Sequence, residues 1–384
     1  MDFDYFAAPA VLLVFGVLVA LFAVRHLRLL PRKFPNKGQR VPRIFDQFIL
    51  LVTVIGSVFL AVASGYNAVA LYRFHAFSQP PGQIYFVNGH RMRMNCTGVG
   101  SPTIVLDSGL GNDALIWGSV QPLLEKTTRV CSYDRAGYGW SDAVSGPRDA
   151  DHIAAELHQL LVEAHIDGPI VLMGHSIAGM YIRDYSAHYP ENIAGLIFVD
   201  GSTPLQEENP ALQSAGETGA PRWASVLVMR SVAIVGLPRF VGTCAKPIPG
   251  FEGRAGQLLA EDLCHPRFHS VEREFESFHA SGQQTIHTGP FGALPVLIFS
   301  QDPANALSQK HPPQELVDLE NAWSQMQESL KNLSTRSRSI IAKGSSHAVQ
   351  VDRPDLLGKE VPLFIEQIRG AAPQPTNYGS TVIE

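Results

Sequence analysis

The chain has 384 residues, of which 45% are hydrophobic and only 17% charged, with a formal net charge of −5. The length admits one large catalytic domain with extra segments, or two medium domains. The charged share, below the usual quarter, points to a part that lives in lipid, and the negative balance excludes a global basic signature of nucleic-acid binding.

The lipid signal lies in the first eighty residues. Residues 7–24 and 47–72 are two uncharged apolar runs. At about 1.5 Å per residue, both are long enough to cross a bilayer. Between them stand Arg25, Arg28, Arg32, Lys33, Lys37, Arg40 and Arg43, with no acidic residue before Asp46. By the positive-inside rule, loop 25–46 stays in the cytoplasm, and the N-terminus and the large domain face outward. Residues 1–75 are therefore expected to be a two-span anchor of an integral membrane protein, its catalytic domain on the outer or periplasmic side. Ala61-Val62-Ala63 resembles a signal-peptidase site, but the run stays apolar beyond it, so an uncleaved span is expected.

From about Gln83 short strands alternate with helices. Residues 84–87 and 91–96 read as a hairpin around Asn88-Gly89. Residues 103–106, 128–133, 170–173, 196–199, 296–299 and 339–342 read as further strands. Helices are predicted from a cap at Asp151, over about 178–188 and over about 354–368. This alternation implies an α/β fold with a parallel sheet covered on both faces. Core segments 83–201 and 293–370 flank residues 202–292, too long for a plain connection, which suggests an inserted, mainly helical lid. The tail, 371–384, is expected to be flexible.

Gly174-His175-Ser176-Ile177-Ala178-Gly179 follows the apolar strand 170–173 and opens a helix, the setting of a nucleophile elbow. The sharp turn needs small neighbours; Gly174 supplies one, while Ala178 stands where the usual pattern has Gly. Ser176 is the predicted nucleophile and needs a base oriented by an acid, in the chain order Ser, acid, His. His347, just after the last core strand, is the candidate base. Asp302, after strand 296–299, is the favoured acid; Asp200, which ends strand 196–199, is the alternative. The backbone N–H groups of Ile177 and of Leu110, in Ser108-Gly109-Leu110-Gly111, are the predicted oxyanion donors. The four cysteines lack C-x-x-C spacing, and Cys264-His265 with His269 lacks a fourth ligand, so no metal is predicted.

The Ser108–Gly111 loop, the run Tyr133-Asp134-Arg135-Ala136-Gly137-Tyr138-Gly139-Trp140-Ser141-Asp142, the elbow at Ser176 and Ser346-His347 closely resemble the α/β-hydrolase superfamily over residues 83–370. The resemblance implies an eight-stranded, mostly parallel sheet with a lid after the sixth strand. It also implies neighbouring strands for Cys96 and Cys131, hence a disulfide between them in an outward-facing domain, with Cys244–Cys264 stapling the lid. Where the family often has His-Gly, this chain has Ser108-Gly109. The nucleophile can be Asp in dehalogenases and epoxide hydrolases; Ser176 argues against both. The expected activity is hydrolysis of a carboxylic ester or related acyl substrate, small or lipid-like, through a Ser-His-Asp triad with no cofactor.

Overall fold

The computed structural model describes residues 40–78, 80–214, 231–246, 253–264, 268–375 and 378–384, with Val11, 14–19, Leu21, Phe22, Arg25 and Phe251. The chain divides into two compact units. Half of the first predicted span, 7–24, and most of the basic loop, 25–46, fall outside the described residues.

The first unit holds residues 1–79, 223–246 and 264–266. Its long helix, Arg40–Phe77, contains the second predicted span and runs unbroken through Ala61-Val62-Ala63. Within it, Leu51–Phe74 is long and apolar enough to cross a membrane. One stripe of that helix, Ala61, Ser64, Asn67, Ala68, Leu71 and Phe74, is buried, while Ile55, Phe59, Val62, Tyr66 and Val69 stay exposed. The three- and four-residue spacing of the buried stripe is that of one helical face. Residues 223–246 belong to this unit, although the sequence assigns them to a lid separate from the anchor. The reason is specific: the Asn67 amide donates to Ala233 O at 2.9 Å, and Phe59 packs edge-on to Phe240. Cys244 is bonded to Cys264.

The second unit, residues 80–222, 247–263 and 267–384, is built on one sheet. Its strands are β1 (Gln83–Val87), β2 (His90–Thr97), β3 (Thr103–Asp107), β4 (Val130–Tyr133), β5 (Ile170–His175), β6 (Ile193–Val199), β7 (Val296–Ser300), β8 (Ser337–Ile341) and β9 (Thr381–Ile383), in the order β1-β2-β4-β3-β5-β6-β7-β8-β9. Only β2 runs against its neighbours; every other pairing is parallel. Strands β3, β4, β5 and β7 are buried along their whole length. Strands covered on both faces need continuous apolar runs, and these sequences supply them. The Asn88-Gly89 turn has positive φ at both residues (49° and 85°), as a two-residue hairpin requires.

Two expectations are corrected. The sheet has nine strands among the described residues, not eight. The ninth comes from the tail expected to be flexible, where Thr381-Val382-Ile383 pairs parallel to β8, opposite Ser339, Ile340 and Ile341. Arg353 donates to Glu384 O at 2.9 Å and helps tie the tail down. The β-branched triplet completes the edge of β8, which the Pro and Asn before it conceal in the sequence. Cys96 and Cys131 face each other in the β2–β4 register and are bonded.

Candidate active site

Ser176 sits at the turn from β5 into helix Ala178–His188 with φ 57°, a left-handed conformation that side chains other than Gly rarely adopt. The turn is crowded. A Cβ on Gly174 would lie 2.8 Å from Ala178 O, and one on Gly179 would lie 2.8 Å from Ser202 O. Ala178 is fully buried between them with its methyl accommodated. The steric need for glycine thus falls on 174 and 179, and alanine two residues after the serine is no handicap. The turn is pinned to β6: Ser176 N donates to Val199 O, and Ser202 N donates to Ser176 O at 2.7 Å.

His347, in the loop after β8, brings Nε2 to 2.9 Å from Ser176 Oγ. Its Nδ1 lies 2.6 Å from Asp200 Oδ2, at the end of β6. Asp200 is wholly buried and takes φ 47°. Its carboxylate also accepts Gln301 N–H at 3.0 Å and the Trp323 indole N–H at 3.0 Å. These donors satisfy both oxygens of a buried side chain that would be costly to leave unpaired.

The favoured acid of the sequence reading, Asp302, is not in this chain of hydrogen bonds. Its Oδ1 accepts Ala304 N–H, capping the short helix Pro303–Ala306, and its Oδ2 accepts Gly344 N–H at 2.8 Å. Asp302 therefore braces the backbone of the histidine loop, while the alternative, Asp200, contacts the ring. The parallel sheet decides this: β6 lies next to β5, and β7 is one strand further away.

Two buried groups support the loops around Ser176. His175 rests against Gly109, and its Nε2 pairs with His347 O at 3.0 Å. Burial, and then the neighbouring His347, pushes its imidazole down to about 3, so it is neutral. Arg135, from the motif after β4, pairs with Glu274 through Nε and Nη2, both at 2.9 Å, and with Asp107 at 2.7 Å. It also donates to Ser108 O and Gly109 O. One guanidinium thus joins the loop before Leu110 to helix Phe268–Glu276 of the insertion.

A cavity of about 330 Å³ opens on Ser176 and His347. Leu110, Ile177, Phe275, Phe278, Leu319 and Trp323 give it an apolar wall, and Gln206, Gln301 and Glu320 add polar groups. Burial, reinforced by Asp200, raises the Glu320 carboxyl. Among the described residues, neither Leu110 N–H nor Ile177 N–H donates to a protein acceptor. Such an arrangement can activate a hydroxyl and meet a developing oxyanion.

The structure brings together Ser176, His347, Leu110 and Ile177, with Asp200 and not Asp302 against the histidine ring. Sequence reasoning missed Trp323, Glu320 and Gln301, which no motif marks, and Glu274, which sits far along the chain from Arg135. For a metal, Cys264 is bonded to Cys244 and offers no thiolate. Elsewhere Asp151, Asp184 and His188 bring one ligand atom each to within 4.8 Å of one another, and His188 Nδ1 lies 3.3 Å from Asp184 Oδ2.

The chain is 37% identical over 84 residues to an uncharacterized protein of Schizosaccharomyces pombe, covering 22% of this chain and 16% of that one. It is 30% identical over 160 residues to the uncharacterized protein YbdG of Bacillus subtilis, covering 41% of this chain and 47% of that one. These matches span less than half the length of either relative. An AB hydrolase superfamily protein of Gibberella zeae is 23% identical over 287 residues, 70% of this chain and 87% of its own. A crystal structure of DBJA shares the fold, with a TM-score of 0.54 at 17% identity over 76% of this chain and 98% of DBJA. Residues 104–359, about two thirds of the chain and including the elbow, Asp200 and His347, match the alpha/beta hydrolase family, and the chain belongs to that family.

Proposed function

We propose that the protein is a membrane-anchored serine hydrolase that cleaves a carboxylic ester or related acyl substrate. The observation that carries this reading is the continuous path from Ser176 Oγ through His347 to buried Asp200, at 2.9 and 2.6 Å. Ser176 Oγ attacks the acyl carbon while His347 Nε2 takes its proton. The imidazolium that forms is held by Asp200, and the N–H groups of Leu110 and Ile177 bind the oxyanion. The tetrahedral intermediate collapses, and His347 hands the proton to the leaving alcohol. Water, deprotonated by His347, then attacks the acyl-enzyme; the second intermediate releases the acid and returns the proton to Ser176. The apolar wall of the cavity favours an uncharged acyl chain.

The anchoring half of the proposal rests on Leu51–Phe74 and on the basic run before it, which orients the large unit outward. Two disulfides fit an oxidising compartment on that side. The proposed lid is the insertion between β6 and β7, which contributes Gln206, Phe275 and Phe278 to the cavity wall.

The test is labelling of membranes by a fluorophosphonate probe, followed by an ester chain-length series. Wild type should label and Ser176→Ala should not. A folded wild type that takes up no probe and cleaves no ester would overturn the reading.

A further inference from the structure

We propose that residues 231–245, part of the insertion between β6 and β7, are immersed in the bilayer beside helix Arg40–Phe77, with Leu237, Phe240 and Val241 against lipid acyl chains. This rests on the reading of Leu51–Phe74 as a span. The segment belongs to the same compact unit as that helix.

Depth is the first argument. Twenty-four helical residues cover roughly 36 Å, against a hydrocarbon core of about 30 Å. Phe59 stands eight residues from Leu51, roughly 12 Å, and fifteen from Phe74, roughly 22 Å. It therefore lies near the middle of the bilayer. The Phe240 ring packs edge-on to Phe59, with centroids 5.8 Å apart. The tip of the segment follows the helix to that depth.

The backbone is fit for lipid, which is the second argument. A chain in hydrocarbon must satisfy its polar groups internally. Residues 231–235 and Leu237–Phe240 are helical, with a break at Gly236. The break frees carbonyls, and Asn67 on the long helix covers them: its Nδ2 donates to Ala233 O at 2.9 Å and to Ile234 O at 3.4 Å. Asn67 Oδ1 in turn accepts Arg239 Nε at 3.1 Å. A buried asparagine in an apolar helix is costly unless it has such partners. Gly236, Phe240, Val241, Gly242 and Ala245 N–H groups also find acceptors within the segment.

Composition is the third argument. Arg239 is the sole charged residue from 231 to 245. Its guanidinium is held at the level of Asn67, roughly 10 Å from Phe74 and so in the outer part of the bilayer, by the bond to Asn67 Oδ1. Phe240 and Val241 are 68% and 62% exposed, and they continue the exposed apolar face of the long helix. In water that patch would be a liability; in lipid it is solvated.

The experiment is depth-resolved quenching in proteoliposomes. All four native cysteines are paired, so one added cysteine carries a fluorescent label alone. Phe240→Cys is compared with Ile55→Cys, exposed on the long helix, and with Gln325→Cys, exposed on the second unit. The label at 240 should be quenched by nitroxide-labelled acyl chains as at 55, and should resist aqueous iodide, which quenches at 325. Lipid quenching at 55 with iodide quenching at 240 overturns the inference and leaves the span standing. Iodide quenching at all three positions removes the span and the inference together.

Discussion

Asp200 Oδ2 lies 2.6 Å from His347 Nδ1, across the gap between the end of β6 and the loop after β8. The carboxylate is wholly buried, whereas the imidazole is 43% exposed toward the cavity. An acid so held fixes the ring with Nε2 toward Ser176. Asp302, one strand away, spends both oxygens on backbone N–H groups.

This geometry separates two substitutions of equal chemistry. Asp200→Asn should lower kcat by about 10⁴-fold, because the amide no longer favours the tautomer and charge that the histidine needs. Asp302→Asn should cost far less, about the loss of one backbone hydrogen bond, since Asn keeps one acceptor oxygen and caps a helix as well as Asp does. Steady-state hydrolysis of a water-soluble ester by both variants decides it; the reverse order would restore Asp302 as the acid.

Trp323→Phe deletes one donor to Asp200 and keeps the ring in place. A hydrogen bond to a charged group contributes about 1.5–3 kcal/mol. Activity should fall roughly tenfold or more, with KM little changed if Trp323 acts through Asp200. A rise in KM alone would assign Trp323 to substrate contact instead.

His175, held at about 3 by burial and by His347, makes stability depend on acid. The unfolded chain protonates this histidine near pH 6.5 and the folded one only near 3. Stability is therefore complete above about 6.5 and falls as pH drops toward 3, at most about 1.4 kcal/mol per pH unit. His175→Gln, whose amide can still reach His347 O, should flatten that decline. Urea midpoints from pH 7 to 4 measure it, and parallel curves for the two proteins would refute the assignment.

Removing the Cys96–Cys131 bond, which spans 35 residues, should destabilise the second unit by about 4 kcal/mol on the chain-entropy estimate. The comparison is between oxidised wild type and the Cys96→Ser/Cys131→Ser variant in thermal unfolding. Titration of four free thiols in unreduced protein would remove the basis for the prediction.

Glu274→Ala leaves the buried Arg135 guanidinium with Asp107 as its remaining carboxylate partner. Breaking such a pair costs about 3–5 kcal/mol, since one charge is left under-compensated. Arg135 also holds Ser108 O and Gly109 O, so kcat should fall together with Tm. A Tm unchanged within error would show that the pair is not closed in solution.

Much of the fold was legible because apolar periodicity is a local property. The runs at 170–173 and 296–299 read as buried strands, and they became β5 and β7. The elbow at Ser176 and the position of His347 were legible for the same reason, as each is marked by its own neighbours. The edge strand Thr381–Ile383 was hidden, because three residues carry no period, and the pairing needs β8 to be in place.

The elbow around Ser176, the loop position of His347, the apolar run at 47–72 and the alternation of strands and helices from residue 83 onward were all legible in the chain, since steric and hydrophobic rules over a few residues suffice for these. Packing in three dimensions sets Asp200 rather than Asp302 against His347, brings Trp323 and Glu274 into the site's support, and joins residues 231–245 to the long helix. Those relations cross at least 123 residues of chain, and they follow from which strands the sheet sets side by side and which surfaces the packed chain leaves in contact.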